Sequence, residues 1–102
     1  MSMNSPRMTG PTLKVLGEFR HRPTDQISGI EISRSTGLAS GTLYPILFRL
    51  EEAGWVESVW EDVGPTQVKR PRRRLYRMTG VGEASAHESV RDVFSKMPEF
   101  AL

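Results

Sequence analysis

Cysteine is absent from the 102 residues, which removes a disulfide framework, a thiolate nucleophile and every cysteine-bearing zinc site. Histidine is scarce. His21 and His87 have no carboxylate spaced from them as metal ligands require, and both read as exposed or interface positions. No glycine-rich phosphate loop follows a strand pattern, and no nucleophile motif occurs. Long apolar runs are missing as well. The longest, Leu43 to Phe48, is far shorter than a bilayer span and contains Pro45. The opening residues, "MSMNSPRMTGP", lack the apolar block of a signal peptide. The expectation is a soluble, cytoplasmic protein that is not an enzyme and has no cofactor, no metal and no membrane partner.

What is present fits one small domain. A chain of this length buries about two-thirds of its unfolded surface, and a hydrophobic fraction of 37% gives a modest core that a partner can complete. The net charge of +2 decides little, whereas its distribution is informative. Glu51, Glu52, Glu57, Glu61 and Asp62 form an acidic run. Lys69, Arg70, Arg72, Arg73 and Arg74 then crowd into six residues. Opposite charges in consecutive elements suggest that the elements pair.

Residues 1–10 have no period and read as a flexible tail. Thr9 or Thr12 caps a first helix running to about Arg22, with Leu13, Leu16 and Phe19 along one side and Pro23 closing it. A second helix spans about Asp25 or Ser28 to Thr36, and Gly37 ends it in a left-handed conformation. After Leu38-Ala39, Ser40 serves as the N-cap of a third helix. Its Leu43, Ile46, Leu47 and Leu50 fall at i, i+3, i+4 and i+7, a single apolar stripe, and Gly54 terminates it. The far side carries Gly41, Pro45, Phe48 and Glu52, flanked by Thr42, Tyr44 and Arg49, so the positive end of this helix can approach another surface.

"WVESVWED" (55–62) and "RRLYRM" (73–78) read as an antiparallel hairpin. One register sets Glu57 against Arg77, Val59 against Leu75 and Glu61 against Arg73 on one face. Val56–Met78, Ser58–Tyr76 and Trp60–Arg74 meet on the other. Every partner is compatible, and each pair contributes about 0.2–1 kcal/mol, with a possible cation–π contact at Trp60–Arg74. In this register Arg73, Arg74 and Arg77 belong to the hairpin, while Lys69, Arg70 and Arg72 remain at a tip stiffened by Pro71. Such a tip is either a solvated loop or a phosphate-binding arm. Trp55 and Trp60 could stack on a flat ligand, but core packing is the commoner fate of such residues.

The order helix, turn, helix, two-stranded ribbon gives a mainly α (α+β) fold, a winged helix-turn-helix over residues 11–79 with a two-stranded β wing. In that layout the third helix enters the major groove and the wing touches backbone or minor groove. The expected DNA-binding residues are Ser40, Thr42, Tyr44, Pro45 and Arg49 on the helix, and Lys69, Arg70 and Arg72 on the wing. Phe48 reads as a dimer or lid contact or a surface position ahead of a touch on a thymine methyl. Residues 80–102 form a C-terminal helix and tail. Thr79 caps this helix, and Ala86, Val90, Val93, Phe94 and Met97 form its stripe. That stripe can fold back on the body of its own monomer or, because a winged-helix body has little spare surface for a long helix, meet a second chain. Two other classes stay open: a winged helix that binds protein without reading DNA, and a single-strand or RNA binder, for which a two-stranded wing offers little stacking platform.

"SGTLYPILFRLEEAGWVES" followed by "RPRRRLYRMTGVG" closely resembles the PadR family of bacterial winged-helix transcriptional regulators, over roughly residues 12–85. The resemblance implies a homodimer that binds double-stranded operator DNA, usually as a repressor and sometimes relieved by a small-molecule effector. It places Tyr44 and the Ser40/Thr42 helix start at the DNA and makes Arg70-Pro71-Arg72 the wing turn. It also implies that the C-terminal helix joins helix 1 in a dimer, through Leu13, Leu16, Ala86, Val90, Val93, Phe94 and Met97. Two residues depart from the family pattern: Lys69 stands where a glycine is common, and Phe48 where a basic residue is usual.

Overall fold

A computed structural model describes residues 6–62, 64 and 69–96. Helix α1 (Gly10–His21) starts at Thr9, whose hydroxyl accepts from the Thr12 backbone N–H at 3.2 Å. Thr12, Val15, Leu16 and Phe19 turn inward at helical spacing. Strand β1 (Ile27–Ser28) leads into helix α2 (Gly29–Thr36). Ser28 and Glu31 close a capping box there, and Gly37 ends the helix at φ +76°, a conformation that costs glycine little.

Helix α3 (Ser40–Glu52) buries Leu43, Ile46, Leu47 and Leu50, each burial contributing about 1.5–3 kcal/mol. Ser40 is not its cap. Ala39 holds that position without a side-chain bond, and Ser40 is already helical, since the extended-to-helical change falls one residue earlier than the residue type suggested. The helix continues through Pro45, which gives up one backbone bond toward Gly41.

Strands β2 (Val56–Trp60) and β3 (Arg74–Met78) pair antiparallel, with Val56 opposite Met78, Glu57 opposite Arg77 and Trp60 opposite Arg74. This is the register that charge matching favours. The sheet has three strands, however, in the order β1-β3-β2, with Ile27 opposite Tyr76. A two-residue strand carries no readable period, so only the tertiary contact reveals it. Buried residues from all three strands and from α1–α3 make one core, joined by Trp55 and by Ala86 of the last helix.

Helix α4 (Gly80–Ser95) is capped by the Thr79 hydroxyl. A Cβ at Gly82 would stand 1.9 Å from the Trp55 carbonyl oxygen, so the helix approaches the start of β2 as closely as backbone permits. The Thr79 N–H and hydroxyl bond to Trp55 and Gly54 carbonyls. Beyond that anchor α4 buries little: Gly82 and Ala86 are its buried residues. Of the expected tail, residues 1–5 lie outside the described residues, and Met8 packs on the core.

Candidate nucleic-acid interface

The packing of α3 leaves its opposite side to solvent. Ser40, Thr42, Tyr44, Pro45 and Arg49 are all exposed, as is Phe48. Tyr44 is 43% exposed, with one edge of its ring against Gly29 at the N-terminus of α2. A Cβ at Gly29 would meet the Tyr44 Oη at 2.5 Å. The glycine therefore gives the ring its seat, and the phenol is presented from the junction of α2 and α3.

The wing departs in detail from the expected arrangement. The Glu61 carboxylate accepts two bonds from Arg70, from Nη1 at 2.8 Å and Nη2 at 3.1 Å. Hydrogen bonding from Arg70 is the main cause holding the Glu61 carboxyl below its usual range, and the same contact raises the Arg70 guanidinium. Arg70 is thus not a loose tip residue. Arg73, the expected partner of that carboxylate, gives it a backbone N–H at 3.3 Å rather than its guanidinium. The Arg73 carbonyl accepts from the Glu61 N–H at 2.8 Å, so the two residues do stand opposite each other. Arg70 precedes the first ladder pair of β3, and pairing positions along the ladder do not foresee its reach to Glu61. The Arg73 Nε is buried without a hydrogen-bond partner among the described residues. Lys69 and Arg72 are exposed. Arg77 does bind Glu57 as charge pairing suggested.

Between α3 and the wing lies a cleft of about 400 Å³, lined by Tyr44, Ser28, Gly29, Ile30 and Trp60 and by Arg70 to Arg74. Trp60 is 58% exposed, whereas Trp55 is buried at 6%. The expectation of core packing is met by Trp55 and corrected for Trp60, whose position at the outer end of β2 carries it past the core. Arg74 lies over the Trp60 ring, 5.0 Å from its centroid, and its Nε donates to Ser58 Oγ at 3.0 Å. The pairing of Trp60 with Arg74 was legible in the sequence. The cleft they help to line was not, because it forms only when α2, α3 and the hairpin meet.

The residues expected at a dimer interface divide into two groups. Leu16 and Ala86 are 1% and 0% exposed within the chain itself and have no surface left for a partner, because both belong to the chain's own core. Leu13, Val90 and Val93 are half-buried and Phe94 is exposed. Met97 lies outside the described residues. Both histidines are exposed. Among the described residues, no three His, Cys, Asp or Glu side chains are grouped to hold a metal, and no helix is long and apolar enough to cross a membrane.

The family model described as "Transcriptional regulator PadR-like family" matches residues 26–88. A PadR family transcriptional regulator from Eggerthella lenta superposes with a TM-score of 0.64 at 26% identity, covering 79% of this chain and 69% of that one. A PadR-like transcription factor from Bacteroides fragilis gives 0.66 at 20% identity, with 88% of each chain covered, a likeness of fold. Mutant MarR from E. coli complexed with operator DNA gives 0.62 at 27% identity. The alignment covers 79% of this chain and 52% of that one, so this chain spans about half of its length. No curated protein matches.

Proposed function

The chain belongs to the PadR-like family of transcriptional regulators, and from that premise we propose that it is a homodimeric, sequence-specific binder of double-stranded operator DNA that acts as a repressor. The observation that carries this reading is the exposed N-terminal half of α3, standing beside an arginine-rich hairpin across one open cleft. In this reading Thr42 and Tyr44, at the leading end of α3, meet base edges or the adjoining phosphate, and Ser40, Pro45 and Arg49 flank them. Lys69 and Arg72 neutralise backbone phosphates, and Arg70 acts mainly through the wing turn that it shapes with Glu61. Repression follows from occupying a promoter.

Dimerisation is proposed through α4 and the outer side of α1, using Leu13, Val90, Val93 and Phe94. What supports it is a 16-residue helix with Gly82 and Ala86 buried, together with the exposure of Val81 and Phe94. Two linked reading heads also bind a repeated site more tightly than one.

The test is a fluorescence-anisotropy titration of three probes at two salt concentrations: a duplex from upstream of the protein's own gene, an unrelated duplex and an RNA hairpin. Tightest binding to the first, weakening steeply with salt, is the expected result. Equal affinity for all three, or none for any, would overturn the proposal.

A further inference from the structure

Among the described residues of the wing, Trp60 is the exposed large aromatic that lines the cleft beside α3. It lies at the outer end of β2 with more than half its surface exposed. Arg74 restrains it from one side and is itself tied to Ser58. It shares the cleft with Tyr44 on the far wall. An exposed indole held by a bonded guanidinium is preorganised, so little side-chain freedom is lost when something packs on it. Four arginines, Arg70 and Arg72 to Arg74, line this space, against the carboxylates of Glu61 and Glu51 that pair with Arg70 and Arg74. The remaining charge is positive, and Arg73, whose Nε is buried without a hydrogen-bond partner among the described residues, is one of the lining residues. An apolar, aromatic floor with a positive rim suits a strand whose sugars are apolar and whose linkers are anionic.

We propose that this cleft seats one sugar-phosphate strand of duplex DNA, with the Trp60 indole packed against deoxyribose and Arg72 and Arg73 on the flanking phosphates. This inference rests on the DNA-binding reading above and deepens it. It makes Trp60 a backbone-binding residue that positions α3 without reading sequence. A flipped or single-stranded base is the competing occupant of an aromatic cleft, but Arg74 already covers part of the ring, and a paired duplex presents sugar rather than a free base face.

Acrylamide quenching of tryptophan emission tests it with the intact protein. Trp55 is buried, so the readily quenched emission belongs to Trp60, and Trp60→Phe identifies it by removing that component. On saturation with a 20- to 30-base-pair duplex (roughly the length of one dimer site), quenching should fall several-fold. Trp60→Ala should weaken binding on the order of tenfold on operator and unrelated duplexes alike. The slope of log affinity against log salt should stay unchanged, because no charge is removed. Trp60→Phe should recover part of the loss, and circular dichroism of both variants verifies that the fold is kept. A complex seen by anisotropy in which Trp60 remains fully quenchable would overturn the seat while leaving DNA binding intact. Protection by single-stranded DNA but not by duplex would overturn it in favour of base stacking, and the absence of any complex would overturn both readings.

Discussion

The carboxylate of Glu61 grips the guanidinium of Arg70 in two bonds, 2.8 and 3.1 Å long, nine residues apart across the wing. The basic run is thereby divided. Arg70 is neutralised where it stands, whereas Lys69 and Arg72 are exposed beside it. On the proposed reading, replacing Lys69 and Arg72 by Ala removes two phosphate contacts per subunit, four in the proposed dimer. The slope of log affinity against log salt should then become shallower by about three to four units. Arg70→Ala alone should change the slope little, and Glu61→Gln, which frees Arg70, should steepen it. Filter binding over a salt series measures all three, and a larger change for Arg70→Ala than for the double variant would contradict the division.

Gly82 is where α4 meets the start of β2, and it has no room for a methyl group against the Trp55 backbone. Backbone cannot step aside as a flexible side chain can, so Gly82→Ala should destabilise the fold by about 1–3 kcal/mol or more. Gly80, with nothing near its missing Cβ, is the control: Gly80→Ala should be neutral or stabilising by up to about 1 kcal/mol. Urea unfolding of the two variants checks the pair.

Ser28 and Glu31 close the N-terminus of α2. Burial alone would raise the Glu31 carboxyl. The bonds from the Ser28 N–H and hydroxyl and from Arg22 outweigh it and leave the group below its usual value. A depressed carboxyl stabilises the fold at pH values above its unfolded pKa, about 4.3. That stabilisation is lost as pH falls through the folded value. Glu31→Gln should therefore be less stable than the parent at neutral pH, and the gap should close in acid. Ser28→Ala removes the cap itself and should cost about 1–2 kcal/mol at neutral pH. Thermal melts between acid and neutral pH read both effects.

Substituting Val90 and Phe94 together by Asp places two charges on the side of α4 proposed to meet a second chain. The expected result is a monomer in sedimentation at micromolar concentration, with helix content retained and DNA binding weakened through loss of the linked second head. A wild-type protein that sediments as a monomer under the same conditions would contradict the dimer.

The parts of this fold that were legible in the sequence are those set by short-range rules. The stripe Leu43, Ile46, Leu47, Leu50 fixed the face of α3 that is buried, and Gly37 and Gly54 marked turns that need positive φ. Charge matching of Glu57 with Arg77 found the hairpin register. Features that depend on three elements meeting were not legible. Strand β1 is too short to have a period, and Trp60, the last residue of β2, stands exposed. Arg70, which lies outside the strand ladder, takes the Glu61 carboxylate expected for the Arg73 guanidinium. Leu16 and Ala86 are expected at a dimer interface, yet both lie in the chain's own core. Periodicity identifies an apolar side but not which neighbour covers it.

The most direct test of sequence-specific recognition by α3 is selection of bound sequences from a random duplex pool, run in parallel for the parent, Thr42→Ala and Tyr44→Ala. The parent should converge on an inverted repeat whose half-sites lie about one helical turn, 10–10.5 base pairs, apart or a multiple of it. Loss of a base contact in a variant should relax one position in each half-site, a discrimination of about 1–3 kcal/mol. A parent pool that stays random, or variants that recover the parent's site with undiminished preference at every position, would contradict recognition by α3.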